Sequence, residues 1–143
     1  MAYKTRQRDA IWEVIHDSSL PLTAQSICLR ASDKVAGLGI ATVYRTLKQL
    51  VDEGQVRHIE IAGAPPHYES AAKHHHHFFL CERCKQVFDV VGCLRGIPNL
   101  LPDGYQMKRH EIVIYGDCAD CLAVKQSGAL RVRSALRGFR SSE

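Results

Sequence analysis

Two Cys-x-x-Cys units, Cys81-Glu82-Arg83-Cys84 and Cys118-Ala119-Asp120-Cys121, have the spacing at which neighbouring thiolates chelate one ion. Four thiolates close a tetrahedral zinc shell and leave no position open for water, so this pattern points to structural rather than catalytic Zn(II). Thiol exchange also uses Cys-x-x-Cys, but two units within one short stretch favour the metal. The remaining cysteines, Cys28 on an apolar helical stripe and Cys93 standing alone, read as packing residues. Just ahead of Cys81 runs His74-His75-His76-His77. On a strand, His74 and His76 face one way and His75 and His77 the other, so a single strand can feed two metal sites. A solvated polar run or a tag is the bland alternative, and four internal histidines inside native-like sequence make a poor tag. Further ligand candidates are His58, His67, Glu69, Asp89 and the pair His110-Glu111.

The elements that must position these groups follow from periodicity. Ile11, Val14 and Ile15 mark one helix, and Ala24, Ile27, Cys28 and Ala31 a second. After a break at Lys34 to Gly39, Val43, Leu47, Leu50 and Val51 define a third helix that stops at Glu53-Gly54. Its outward set, Thr42, Tyr44, Arg45 and Lys48, suits a helix reading DNA: arginine meets guanine edges or phosphate, tyrosine packs on a thymine methyl, and threonine anchors phosphate. Residues 55 to 61 alternate with period two, a Gly63-Ala64-Pro65-Pro66 turn follows, and His67-Tyr68-Glu69 returns, as in the hairpin of a winged helix. We expect strands around Phe78 to Cys81 and Gln86 to Val90, a short helix near Leu94 to Leu101, a long strand from Gln106 to Tyr115, and a terminal helix after Cys118.

The expected architecture is therefore α+β: an N-terminal winged helix-turn-helix over residues 1–70, a hinge at 71–73, and a C-terminal α/β lobe over 74–143 built on the four cysteines. At 143 residues and 45% hydrophobic content, two small lobes with real cores are the natural division. The net charge of +4 permits a nucleic-acid partner without demanding one. Its basic residues gather at the ends, in Lys4, Arg6 and Arg8, with Arg6 and Arg8 joining the DNA-binding set, and in Arg131 to Arg140, read as a solvated tail. No window reaches the apolar run of about 18 residues that a bilayer span needs. Met1 to Arg6 does not look like a signal peptide, so we expect a cytoplasmic protein with no membrane partner.

Taken in order and spacing, Ala41-Thr42-Val43-Tyr44-Arg45-Thr46-Leu47, the wing start at Gly54 to Ile59, Tyr68-Glu69, the histidine run, both Cys-x-x-Cys units and His110 to Cys118 resemble the ferric uptake regulator superfamily, from Thr5 to about Val124. The resemblance implies a dimerising C-terminal lobe, a Cys₄ zinc site, a regulatory metal at the hinge and a recognition helix aligned on Thr42, Tyr44 and Arg45. Many iron and peroxide sensors of that superfamily place a histidine ligand just before the second helix; here the stretch is Leu20-Pro21-Leu22-Thr23-Ala24. Their His-x-His ends three residues before the first zinc cysteine, where this chain has Phe78. His74 and Asp89 instead resemble ligand positions of one group of zinc uptake regulators, with His58 nearest to that group's wing histidine and His67 or Glu69 in place of its missing cysteine.

On that resemblance we expect a homodimeric repressor of metal-homeostasis genes. His58, His74, His76 and Asp89, with His67 or Glu69, would hold a corepressing Zn(II) that sets two winged helices on a palindromic double-stranded operator. His75, His77, His110 and Glu111 would form a second site. Fe(II) or Mn(II), or a peroxide response, are the alternatives within the superfamily, because ligand type alone does not exclude other divalent ions. A small zinc hydrolase with Glu111 or Glu69 as base would leave the recognition helix unexplained, and a metal buffer or chaperone is separated by whether the protein shifts operator DNA.

Overall fold

A computed structural model describes residues 2–136. Helix α1 (Ala2–His16) turns Ala10, Ile11, Val14 and Ile15 inward. Helix α2 (Ala24–Ser32) buries Ala24, Ile27 and Ala31, and Thr23 caps its start by accepting the Ser26 N–H at 3.2 Å. Helix α3 (Ile40–Asp52) buries Val43, Thr46, Leu47 and Leu50. The three stripes close one core with Leu22, Val56 and Tyr68.

Helix α3 ends in a Schellman motif: Gln55 N–H donates to the Leu50 carbonyl and Gly54 N–H to that of Val51, both at 2.9 Å. Gly54 sits at φ 71°, a conformation that a side chain would strain. The reversal sends the chain into β2 (Val56–Ile59), which pairs antiparallel with β3 (His67–Ser70) in the register Arg57 to Glu69 and His58 to Tyr68. A two-residue strand not expected from the sequence, β1 (Leu22–Thr23), completes the sheet in the order β1-β3-β2. With only two residues it leaves no periodicity to read.

The second sheet has the order β5-β4-β6, with β4 (His77–Cys81) antiparallel to β5 (Val87–Val90) and parallel to β6 (Val113–Gly116). The long strand expected over Gln106 to Tyr115 is thus only four residues. Its partner β4 begins at His77, so residues before Val113 have no ladder to join. Ile112 is held instead by its N–H to His77 Nδ1 at 3.2 Å and its carbonyl to Phe78 N–H at 3.1 Å. The helix expected near Leu94 to Leu101 is a single 3₁₀ turn, Ile97–Leu100. Helix α4 (Ala119–Leu136) is the terminal helix expected after Cys118, and it includes Arg131 and Arg133; Arg137 and Arg140 lie outside the described residues. Among the described residues no helix is long and apolar enough to cross a membrane.

The second core is small: Ile61, Leu80 and Val87, flanked by Ile59, Ala64, Phe78 and Val113. Ile59, Ile61 and Ala64 belong to the hairpin of the first sheet, so the wing is part of the second lobe's core. Gly63, at the wing turn, faces Leu80 closely enough that a Cβ there would lie 3.8 Å from its side chain. Leu80→Ala should therefore cost about 2–5 kcal/mol, as for other buried leucines. It should also loosen the wing from the second sheet, read by urea denaturation and by hydrogen exchange at Ile59 and Ile61. A loss under about 0.5 kcal/mol would mean that this cluster holds neither lobe.

Candidate metal centres

The four paired cysteines converge at the far end of β4. Cys81 Sγ lies 3.8 Å from Cys121 Sγ, and Cys84 Sγ 3.8 Å from Cys118 Sγ. A regular tetrahedron of Zn–S bonds has S···S edges of about 3.8 Å, so the thiols already stand where a tetrahedral ion requires them. The backbone builds the knuckle: Lys85 N–H returns to the Cys81 carbonyl at 2.9 Å, and Lys85 itself takes the left-handed conformation at φ 62°. Cys118 N–H points at Cys81 Sγ from 3.3 Å. The Cys81 thiol is held down to about 6, first by the Cys84 backbone N–H, whereas Cys121 is pushed up to about 12, first by its hydrogen bond with the Cys118 thiol. Four thiols this close cannot all ionise without a cation among them.

A second group lies at the other end of β4 and joins His75, His77, Cys93 and His110. His75 Nε2 and His110 Nε2 are 3.2 Å apart, Cys93 Sγ is 2.9 Å from His110 Nε2, and His77 Nε2 is 3.4 Å from Cys93 Sγ. Three imidazoles and one thiol are a complete tetrahedral donor set for a borderline-soft ion. Burial, reinforced by the neighbouring His75 and His110, lowers the pKa of His77, which favours the neutral imidazole that coordinates. Cys93 is the member that sequence reasoning missed. It is exposed and meets its partners from 16 and 17 residues away, across the loop after β5, so no local spacing announces it. Glu111 stays outside this group, exposed beside His110.

The third group is Glu69, His76 and Asp89. Glu69 on β3 is only 2% exposed, and its Oε2 is 2.9 Å from His76 Nε2. Asp89 Oδ1 on β5 is 3.5 Å from the same nitrogen. Desolvation pushes the Glu69 carboxyl upward, against the pull of His76, Arg57 and Lys73. His74, His58 and His67, expected beside these residues, are elsewhere. His74 is exposed, and its carbonyl lies 2.7 Å from His76 Nδ1. His58 lies against the Tyr68 ring at 5.2 Å and near Glu60. His67 is buried with Nδ1 2.7 Å from the Pro65 carbonyl, and burial lowers its pKa. The one-residue offset of His58 on a strand is what turns it away, since neighbours on a strand face opposite sides.

Helix α3 presents Tyr44, Arg45 and Lys48 to solvent, with Thr42 partly covered. Arg45 donates to Thr42 Oγ1 at 3.2 Å, and Lys48 pairs with Asp52 at 2.8 Å. Lys4, Arg8, Thr42 and Arg45 line a groove of about 430 Å³ between α1 and α3. Arg8 in that groove is paired with Glu53, 2.6 Å away, while Arg6 is exposed.

A winged helix with a basic α3 face thus adjoins a lobe with two donor groups of its own and shares a third with it through Glu69. Residues 2–115 match the profile of the Ferric uptake regulator family. The chain belongs to that family. It is accordingly a metal-responsive transcriptional regulator and not an enzyme. It is 29% identical over 122 residues to the ferric uptake regulation protein of Campylobacter jejuni, covering 82% of this chain and 78% of the relative. It is 28% identical over 120 residues to the peroxide operon regulator of Bacillus subtilis, covering 82% of each. Its fold is similar to that of the Helicobacter pylori ferric uptake regulator, at a TM-score of 0.70 and 24% identity over 81% of this chain and 79% of that one; that protein has three functional metal binding sites.

Cys81→Ser or Cys121→Ser should lower the bound zinc by one ion per protomer and unfold the second lobe. Structural zinc contributes on the order of 10 kcal/mol in small zinc domains, as much as the whole stability of many domains. Zinc analysis together with a thermal melt decides the matter. A Cys81→Ser protein with native melting and unchanged zinc would show that the four thiols do not hold the ion.

Proposed function

We propose that this chain is a homodimeric, zinc-responsive repressor of metal-homeostasis genes, with a structural Zn(II) on Cys81, Cys84, Cys118 and Cys121 and the sensed Zn(II) on His75, His77, Cys93 and His110. The observation that carries this reading is the second donor set. It holds a thiol and three imidazoles and no carboxylate, a combination that suits zinc and disfavours the harder Mn(II). A bound ion would supply a cross-link between the start of β4, the loop after β5 and the segment before β6.

The chain's own residues carry the message onward through the histidine run that leads into β4. His75 and His77 belong to the histidine and thiol group, and between them His76 reaches Glu69 on β3 of the winged domain. Fixing the start of β4 for the first two therefore fixes His76 against the wing. Repression requires that this arrangement be the one that binds DNA, since an effector shifts an equilibrium only by its differential affinity for the two states. Exposed apolar residues gather on the second lobe, among them Val91, Leu94, Leu100, Tyr105, Ile114 and Tyr115, and β6 is an edge strand, which supports dimerisation through that lobe. A two-fold dimer presents two α3 helices to a palindromic operator.

One observation favours an iron or manganese response instead. Glu69, His76 and Asp89 are the harder donor set, of the kind Fe(II) or Mn(II) takes, and they join the two lobes directly.

Anisotropy on operator DNA, titrated separately with Zn(II), Mn(II) and anaerobic Fe(II), tests the proposal. His110→Ala and Cys93→Ser should keep the dimer and its Cys₄ zinc but lose the zinc-dependent gain in affinity. Undiminished gain in both would move sensing away from this group. Tyr44→Ala and Arg45→Ala should each weaken operator binding, by about 1–3 kcal/mol per lost base contact, with metal content intact. Unaltered affinity in the double variant would place recognition outside α3.

A further inference from the structure

The Glu69, His76 and Asp89 group already contains a cation. Lys73, from the turn between β3 and β4, places Nζ 2.6 Å from Asp89 Oδ2 and 3.7 Å from Glu69 Oε2, and donates to the Ser19 carbonyl at 2.9 Å. Its three neighbours come from three places: the loop after α1, the return strand of the wing, and β5 of the second lobe. Arg57 holds this lysine in position, with one NH2 donating to the Lys73 carbonyl at 2.9 Å and lying 3.2 Å from Glu69 Oε1.

Charge balance follows from these partners. Two largely buried carboxylates face two fixed cations, Lys73 and Arg57, so the group is already neutral when His76 is neutral. A divalent ion entering beside them would leave two uncompensated positive charges in a site where Glu69 is almost wholly out of water, and uncompensated charge is what buried sites do not tolerate. Such an ion would also have to share Glu69 Oε2, the oxygen nearest His76, and the Asp89 carboxylate with the ammonium. We propose that Lys73 is the resident cation of this group, standing where a divalent ion would otherwise sit and tying the winged domain to the second lobe without one. The lysine bridge makes the junction between lobes independent of metal. It leaves the histidine and thiol group as the site that responds, an inference that rests on the reading of that group given above.

Removing the ammonium should therefore create a metal site. Asp89 Oδ1, buried and without a hydrogen-bond partner among the described residues, is the atom such an ion would take first. Zinc bound per protomer is counted by native mass spectrometry at buffered free Zn(II). Lys73→Met keeps the apolar stem and removes the charge, and it should bind one ion more than the wild type. The double variant Lys73→Met, Asp89→Asn should return to the wild-type count. Asp89→Asn alone, which does not depend on Lys73→Met folding, should leave the wild-type count unchanged. An equal count in wild type and a folded Lys73→Met, or a loss of one ion on Asp89→Asn alone, would overturn the proposal. Cys93→Ser measured alongside reports on the histidine and thiol group by itself: an unchanged count there refutes that site, while the difference between Lys73→Met and wild type still decides the role of the lysine.

Discussion

The two histidine-containing donor groups depend on one constraint, that successive residues of the run into β4 point to opposite sides, His75 and His77 to one and His76 to the other. Strand β4 and the three residues before it carry His75 and His77 into one donor group, His76 into another and Cys81 into a third. The strand together with the residues that lead into it therefore runs from the hinge to the four-cysteine knuckle and takes part in all three groups. It is also central, with β5 on one side and β6 on the other, so its register is held from both edges. A one-residue slip would exchange the partners of every histidine at once.

The same strand explains why the second lobe needs cross-links. Among the described residues its core cluster has three buried apolar side chains, one of them donated by the wing, against fourteen in the winged domain. So little buried surface does not by itself hold a sheet and a helix. The Cys₄ knuckle closes β4, the β4 to β5 turn and the start of α4 into one unit, and the Lys73 bridge closes the opposite end onto the first lobe. Stability and signalling then share parts: the contacts that order the small lobe are the contacts through which the wing senses it.

How much of this was legible in the sequence follows from the range of the interactions. The three helices announced themselves because their apolar stripes recur every three or four residues, and the Cys₄ group because each half is a spacing of three. Glu69, His76 and Asp89 were each named as candidates, but the company they keep was misjudged, because the resemblance pointed to His58 and His74 where strand parity turns one aside and leaves the other in solvent. Cys93 looked inert because its partners are a loop away, and Lys73 looked like an ordinary hinge lysine. Neither has a local pattern that announces its role, since decisive neighbours, Asp89 for Lys73 and His77 and His110 for Cys93, lie 16 or 17 residues away along the chain. The long strand was read from β-forming residues alone; pairing decides a strand's length, and the partner ends at His77.

A permanent cation between the lobes also bears on selectivity. A regulator with an open carboxylate site and an open thiol site would answer to two kinds of ion, and the harder site would take whichever divalent ion is most abundant. Filling the carboxylate site with an ammonium removes that competition, because Lys73 cannot dissociate and its effective concentration does not follow the medium. What remains open is a donor set of three imidazoles and a thiol. The response of the whole protein then has the selectivity of those four side chains, and the junction that transmits it keeps the same charge whatever ions surround it.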